Sequence, residues 1–145
     1  MIIVFDLDGT LADCRHRRYH VENNPKNWKR FFDEMVMDPI VPSLAQLLYS
    51  LQNPSNRILI CTGRPEAYRR VTEEWLHSFN VCHFKMYMRK DNDYRADNII
   101  KKELLDAMTA EGHRPDLSID DRESVVSMWR ENGIPCLQYQ FEATI

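Results

Sequence analysis

Ile2-Ile3-Val4-Phe5-Asp6-Leu7-Asp8-Gly9-Thr10 decides the reading of this chain, because four apolar residues lead directly into two carboxylates spaced two apart. A short apolar run bounded by a turn signal predicts a buried strand. Alternation along the extended backbone sends Asp6 and Asp8 toward the same side. Two anions so placed repel each other, and a site of this kind recruits a cation or keeps a proton on one carboxyl. Gly9 permits a tight turn, after which the backbone N–H groups of Gly9, Thr10 and Leu11 are expected to face an anion. The alternative is a strand that simply ends in a polar Asx-type turn.

The 145 residues around this stretch suit one domain with a core of its own. With 43% hydrophobic and 28% charged residues, the composition is globular rather than disordered. A formal net charge of −3 argues against coating nucleic acid by bulk charge, though not against a local basic patch. Cys14, Cys61, Cys82 and Cys136 form no C-x-x-C pair, which favours a reducing, cytoplasmic setting. No stretch approaches the roughly 20 apolar residues of a membrane span, and the first apolar run is too short for a signal peptide.

Strand-like and helix-like segments then alternate, predicting one α/β domain over 1–145. A cap-like insert at about 13–42 contains Trp28, Phe31, Phe32 and Met35 at i, i+3, i+4 and i+7, an amphipathic helical face that needs a partner. Leu44, Leu47, Leu48 and Leu51 repeat that spacing. Further strands are expected at 57–61, 84–88, 117–119 and 135–139. Helices are expected from Pro65 past Val71, Trp75 and Phe79, through Ile100, Leu104 and Met108, and through Val125, Val126 and Trp129.

Three other clusters bear on chemistry. Cys61-Thr62-Gly63-Arg64-Pro65 reads as a strand running into a helix N-terminus through a hydroxyl, a glycine and an arginine, a place that attracts anions; in the plainer reading Thr62 is a cap and Arg64 a solvated side chain. Asp97 and Lys101 share a helical face at i and i+4, which by itself is an ordinary ion pair. Asp120-Asp121 ends an apolar strand, and two adjacent buried acids demand something positive between them and the first pair. Mg²⁺ fits, since it needs only a few protein oxygens beside its waters and a phosphate oxygen.

Asp6-Leu7-Asp8-Gly9-Thr10, Thr62, Lys101 and Asp120-Asp121, in that order, resemble the four motifs of the haloacid dehalogenase (HAD) superfamily over nearly the whole chain. The resemblance implies a Rossmann-like three-layer α/β sandwich around a mostly parallel sheet, with a small cap or none. It further implies an Mg²⁺-dependent phosphatase in which Asp6 attacks phosphorus and Asp8 serves as acid and base. Mg²⁺ would be held by Asp6, the carbonyl of Asp8 and one of Asp120 or Asp121, with Asp121 the preferred direct ligand. Thr62 and Lys101 would bind phosphoryl oxygens, with Asp97 orienting Lys101, and Gly9, Thr10, Gly63, Arg64 and one of Arg17 or Arg18 would face substrate.

More narrowly, T-G-R at 62–64, D-x-x-x-K at 97–101 and I-D-D-R-x-x-V-V-x-M-W-R at 119–130 resemble the 3′-phosphatase domain of bacteriophage polynucleotide kinase. The chain has no G-x-x-x-x-G-K-[ST] loop and so no visible means of kinase activity; a separate kinase or ligase is the partner that the resemblance leaves open. Between Asp13 and Arg30, six Lys/Arg accompany two acids, with His16, Tyr19, His20 and Trp28 interleaved. That mixture suits a nucleotide or a single-stranded end, the alternative being a solvated helix whose rings pack inward. The expected substrate is therefore a nucleic acid 3′-phosphate end; free nucleoside monophosphates are the second reading, and a phospho-accepting signalling module a third. Oligomeric state is not fixed by the sequence.

Overall fold

The computed structural model describes residues 1–141. Five parallel strands, β1 (Ile2–Phe5), β2 (Arg57–Pro65), β3 (Lys85–Arg89), β4 (Leu117–Asp120) and β5 (Cys136–Gln138), form one sheet in the order β3-β2-β1-β4-β5. Their side chains alternate between two cores, as the period of two requires. Ile3, Phe5, Ile58, Ile60, Met86 and Met88 face one layer, which contains α3 (Pro42–Leu51) and α4 (Arg69–Ser78). Val4, Leu59, Cys61 and Tyr87 face the other, with α5 (Asp97–Ala110) and α6 (Glu123–Glu131). The result is the expected three-layer α/β sandwich. Both faces of β1 are covered, which is why it reads as an unbroken apolar run.

The chain winds outward from β1 through β2 to β3, then returns to place β4 on the other side of β1. That reversal opens a crevice at the carboxyl ends of the central strands, where open α/β sheets bind ligands. Asp6 follows β1 and Asp120 ends β4, its neighbour.

Several elements differ from the sequence reading. β2 continues through Thr62-Gly63-Arg64-Pro65, so Pro65 ends a strand instead of opening a helix. The β2–β3 register shifts between Thr62 and Pro65, an irregularity that accommodates a residue without an N–H. A 3₁₀ turn at Glu66–Tyr68 then leads into α4.

In the 13–42 segment, a 3₁₀ turn (Arg15–Arg17), α1 (Tyr19–Glu22), α2 (Trp28–Asp33) and a second 3₁₀ turn (Glu34–Met37) replace the single expected helix. The tighter turn breaks the 3.6-residue period. Phe31 and Met35 are buried, while Trp28 stays 44% exposed. Among the described residues, no helix is long and apolar enough to cross a membrane.

Candidate active site

Asp6 leaves β1 as the backbone turns, and the turn is closed from within. Thr10 and Ala12 donate their N–H groups to the Leu7 carbonyl, and Gly9 donates to Ala12. The N–H groups of Gly9 and Thr10 are thus consumed by the loop, contrary to the expectation that they face an anion. The Thr10 hydroxyl, fully buried, donates to Asp6 Oδ2 at 2.9 Å, so Thr10 fixes the Asp6 carboxylate from behind. Gly9 has φ +87°, and a Cβ there would lie 2.2 Å from Asp121 Oδ2. Glycine is required at this position both for the left-handed turn and for the close approach of Asp121.

Asp6, Asp120 and Asp121 bring carboxylate oxygens within 4.8 Å of one another. Lys101, whose side chain is 1% exposed, spans two of them, donating to Asp6 Oδ1 at 2.7 Å and Asp120 Oδ2 at 2.8 Å. Asp97 Oδ2 stands 3.9 Å from the same ammonium, and its Oδ1 pairs with Arg89 at 3.3 Å. Asp97 therefore sits beside Lys101 on α5 as expected, and it also presses on β2: a Cβ on Gly63 would lie 2.3 Å from Asp97 Oδ1. Asp120 also accepts from the N–H of Asp121 and from the Trp129 indole. Asp121, half-buried, keeps its carboxylate against Gly9.

Asp8 has different company. Its Oδ1 receives Arg17 Nη2 at 2.5 Å and Arg64 Nη2 at 2.6 Å, from two guanidiniums whose side chains are fully buried. Arg17 is held in turn by Asp38, through Nε at 2.8 Å and Nη2 at 2.6 Å, and it donates to the Phe31 carbonyl at 3.0 Å. Of the two candidate arginines, Arg17 is the one turned into the site, whereas Arg18 is exposed and pairs with Glu22 at 3.6 Å. Arg64 is no solvated residue either, because the bulged end of β2 turns it inward, where it also reaches Thr72 and the Met35 sulfur. Buried Thr62 accepts the Arg64 N–H through its hydroxyl oxygen, which leaves the hydroxyl proton to donate.

Neighbours separate the two motif carboxyls. Burial and the adjacent Asp120 push Asp6 well above the usual carboxylate range, against the pull of Lys101. Burial also works against a charged Asp8, but Arg64 and Arg17 outweigh it and hold Asp8 well below that range. Burial and Asp120 likewise raise Asp121. Lys101 pays for its burial with Asp120, Asp6 and Asp97 around it, and its ammonium is held charged.

Three acids with carboxylate oxygens already gathered form a donor set suited to a hard divalent cation. The carboxylate of Asp8 is not part of that set. Asp38 and Arg89 carried no sequence signal. Asp38 lies in no periodic pattern, and Arg89 ends an ordinary strand, yet it ties the Gly63 carbonyl (2.8 Å) to Asp97.

Parallel sheet, central crevice and acid-lysine cluster together define a HAD-type phosphatase. A HAD-superfamily hydrolase from Geobacter sulfurreducens shares the fold, with a TM-score of 0.63 at 15% identity over 95% of this chain and 86% of the other. The model of the polynucleotide kinase PNKP phosphatase domain matches residues 1–143, and the chain belongs to that family. It resembles a chain of the Pnkp1/Rnl/Hen1 RNA repair complex at 31% identity and a TM-score of 0.79, covering 99% of this chain and 43% of that one. A protein of Autographa californica nuclear polyhedrosis virus, described as a bifunctional polynucleotide kinase/RNA ligase, is 27% identical over 135 residues. That match covers 92% of this chain but 18% of the viral protein, so the chain spans less than half the length of either relative.

Proposed function

We propose that this phosphatase removes 3′-phosphates from nucleic acid ends in end repair, using Mg²⁺. The observation that carries the reading is the convergence of two fully buried guanidiniums, Arg17 and Arg64, on one oxygen of Asp8. Paired guanidiniums are a phosphate receptor, and here an internal carboxylate stands in for the substrate's oxygens. The relatives support the polymer: one belongs to an RNA repair complex and another combines kinase and ligase. Separate kinase and ligase activities are the partners this reading implies.

Asp6 attacks phosphorus in line, forming a new carboxyl O–P bond while the P–O bond to the 3′ oxygen breaks. Asp8, freed from Arg17 and Arg64 as substrate settles, is protonated through solvent as Asp6 ionises beside Lys101; it passes that proton to the 3′ oxygen, then takes one from the water that cleaves the aspartyl-phosphate and releases inorganic phosphate. Arg17 and Arg64, drawn onto the phosphoryl oxygens, give up their hold on Asp8 as substrate settles. Lys101 and the Thr62 hydroxyl bind the remaining oxygens, and Asp97 with Arg89 steadies Lys101. Asp6, Asp121 and the Asp8 carbonyl would hold Mg²⁺, which when bound shields the nucleophile from the anionic substrate.

Phosphate release with Mg²⁺ is to be compared for a 3′-phosphorylated oligonucleotide, a 5′-phosphorylated one, and 3′- and 5′-mononucleotides. The 3′-phosphorylated oligonucleotide is expected to be turned over best. Preference for 5′-mononucleotides would replace the reading with a nucleotidase. A rise in melting temperature with Mg²⁺, lost in Asp121→Asn, checks the metal without reference to turnover.

A further inference from the structure

The rings of Trp28, Phe31, Phe32 and Tyr68 form one cluster beside the phosphate receptor, and the core explains only part of it. Phe31 is buried and lies under Arg17, whose guanidinium carbon stands 4.3 Å from the ring centroid. Trp28 meets Phe31 edge-on at 5.6 Å and stacks on Phe32 at 6.0 Å; Phe32 meets Tyr68 at 5.2 Å. Trp28 and Phe32 come from α2, the helix that also carries the Phe31 carbonyl receiving Arg17, whereas Tyr68 lies four residues after Arg64. The rim is therefore built by α2, whose Phe31 carbonyl holds Arg17, and by the 3₁₀ turn that directly follows the β2 end carrying Arg64. Trp28 remains 44% exposed, although Phe31 and Met35 already fill the inward side.

Cations flank this rim. Lys26 Nζ stands 5.8 Å from the Trp28 ring centroid, and neither Lys26 nor Arg30 makes an ion pair among the described residues, whereas Lys29 is neutralised by Asp33. Residues 13–30 carry six Lys/Arg and two acids, while the rest of the chain carries 13 Lys/Arg and 20 acids. Positive charge is thus concentrated where the rings are exposed. A protein-docking face would favour a depletion of free lysine around its apolar centre; exposed π-faces with unpaired cations are the equipment of a single-strand groove.

Building on the 3′-phosphatase reading, we infer that Trp28, Phe32 and Tyr68, with Lys26 and Arg30, form a stacking surface for the nucleotides that lead to the terminal phosphate of a single-stranded end. Bases stack on exposed Trp28 and on the accessible parts of half-buried Phe32 and Tyr68, and the two cations contact backbone phosphates. The surface gives the enzyme affinity for a polymer without reading its sequence.

Trp75 and Trp129 are buried, so Trp28 is the exposed tryptophan of the three. Unphosphorylated hexauridylate and hexathymidylate, which offer no scissile phosphate, are expected to quench its fluorescence in the full chain. Trp28→Leu should weaken binding of labelled hexamers by about tenfold, as expected for losing one stacked base, and Trp28→Phe should restore most of it. On 3′-phosphorylated hexamers Trp28→Leu should raise KM and leave kcat within about twofold. Lys26→Ser with Arg30→Ser should lower the log–log salt slope of binding by about 1.4, at ~0.7 for each phosphate contact. The RNA and DNA arms show which polymer the surface prefers.

Turnover of 3′-phosphorylated hexamers by wild type, with hexamer affinity and KM unchanged in Trp28→Leu, would overturn the stacking surface alone. Quenching by hexamers without any 3′-phosphate release would overturn the 3′-phosphatase reading and leave the surface standing. The Mg²⁺-induced thermal shift of Trp28→Leu, expected to match wild type, confirms that the variant folds.

Discussion

Asp38→Asn should be among the most damaging single substitutions in this chain, though Asp38 lies outside every sequence motif. Asp38 is buried and accepts both Nε and Nη2 of Arg17, whose side chain is also fully buried. Removing one partner of such a pair leaves a charge uncompensated, at a cost of about 3–5 kcal/mol. Asp8 still offers Arg17 an anion at 2.5 Å, which places the expected loss at about 3 kcal/mol, the lower end of that range.

At ~2–4 °C per kcal/mol for a domain of this size, melting should fall by about 6–12 °C. Urea unfolding followed by circular dichroism measures the loss directly. The double variant Asp38→Leu/Arg17→Met, which replaces the pair with apolar volume, should recover most of the stability while phosphatase activity stays absent, because a receptor arginine is gone. A loss of less than about 1 kcal/mol in Asp38→Asn would refute the argument that this pair is desolvated and mutually dependent.

Asp6→Asn should abolish turnover without harming the fold. Burial makes the charged form of Asp6 unfavourable, so in metal-free protein the stability of wild type relative to this variant should decline as pH rises from the ordinary carboxylate range through the raised Asp6 value; calorimetry at several pH values with chelator tests the sign. Asp8 behaves oppositely. Its depressed carboxyl contributes stability above about pH 4 that disappears as pH falls toward the folded value, so wild type should lose stability in acid more steeply than Asp8→Asn. Gly9→Ala should cost at least ~1–2 kcal/mol for its positive φ and displace Asp121, so its Mg²⁺-induced thermal shift should vanish; an intact shift would show that Asp121 need not touch this loop.

The layered parallel sheet was legible in the sequence because its signals are local. Apolar runs such as those at 2–5 and 58–61 mark strands buried on both faces whatever surrounds them. The grouping of Asp6, Asp120 and Asp121 was legible too, since a carboxylate at the end of an apolar strand advertises a cost that the fold must offset, whereas Lys101 entered through the family resemblance, its spacing from Asp97 being by itself that of an ordinary ion pair. Two readings failed where tertiary packing overrode local pattern. Pro65, a good first residue for a helix, ends a bulged strand because β3 pairs with it there. The even spacing of Trp28, Phe31, Phe32 and Met35 gave way to a 3₁₀ turn after Asp33.

By itself, the sequence determined which residue types were available at strand ends, and hence that carboxylates would gather at the carboxyl end of the sheet. Only the tertiary structure decided their division of labour. It gave Lys101 to Asp6 and Asp120, and two arginines from different segments to Asp8. It also buried Arg17 against Asp38 and left its neighbour Arg18 in solvent. The physical reason is that charge pairing in a low-dielectric crevice depends on distances between segments far apart in sequence, and such distances exist only once both cores have packed.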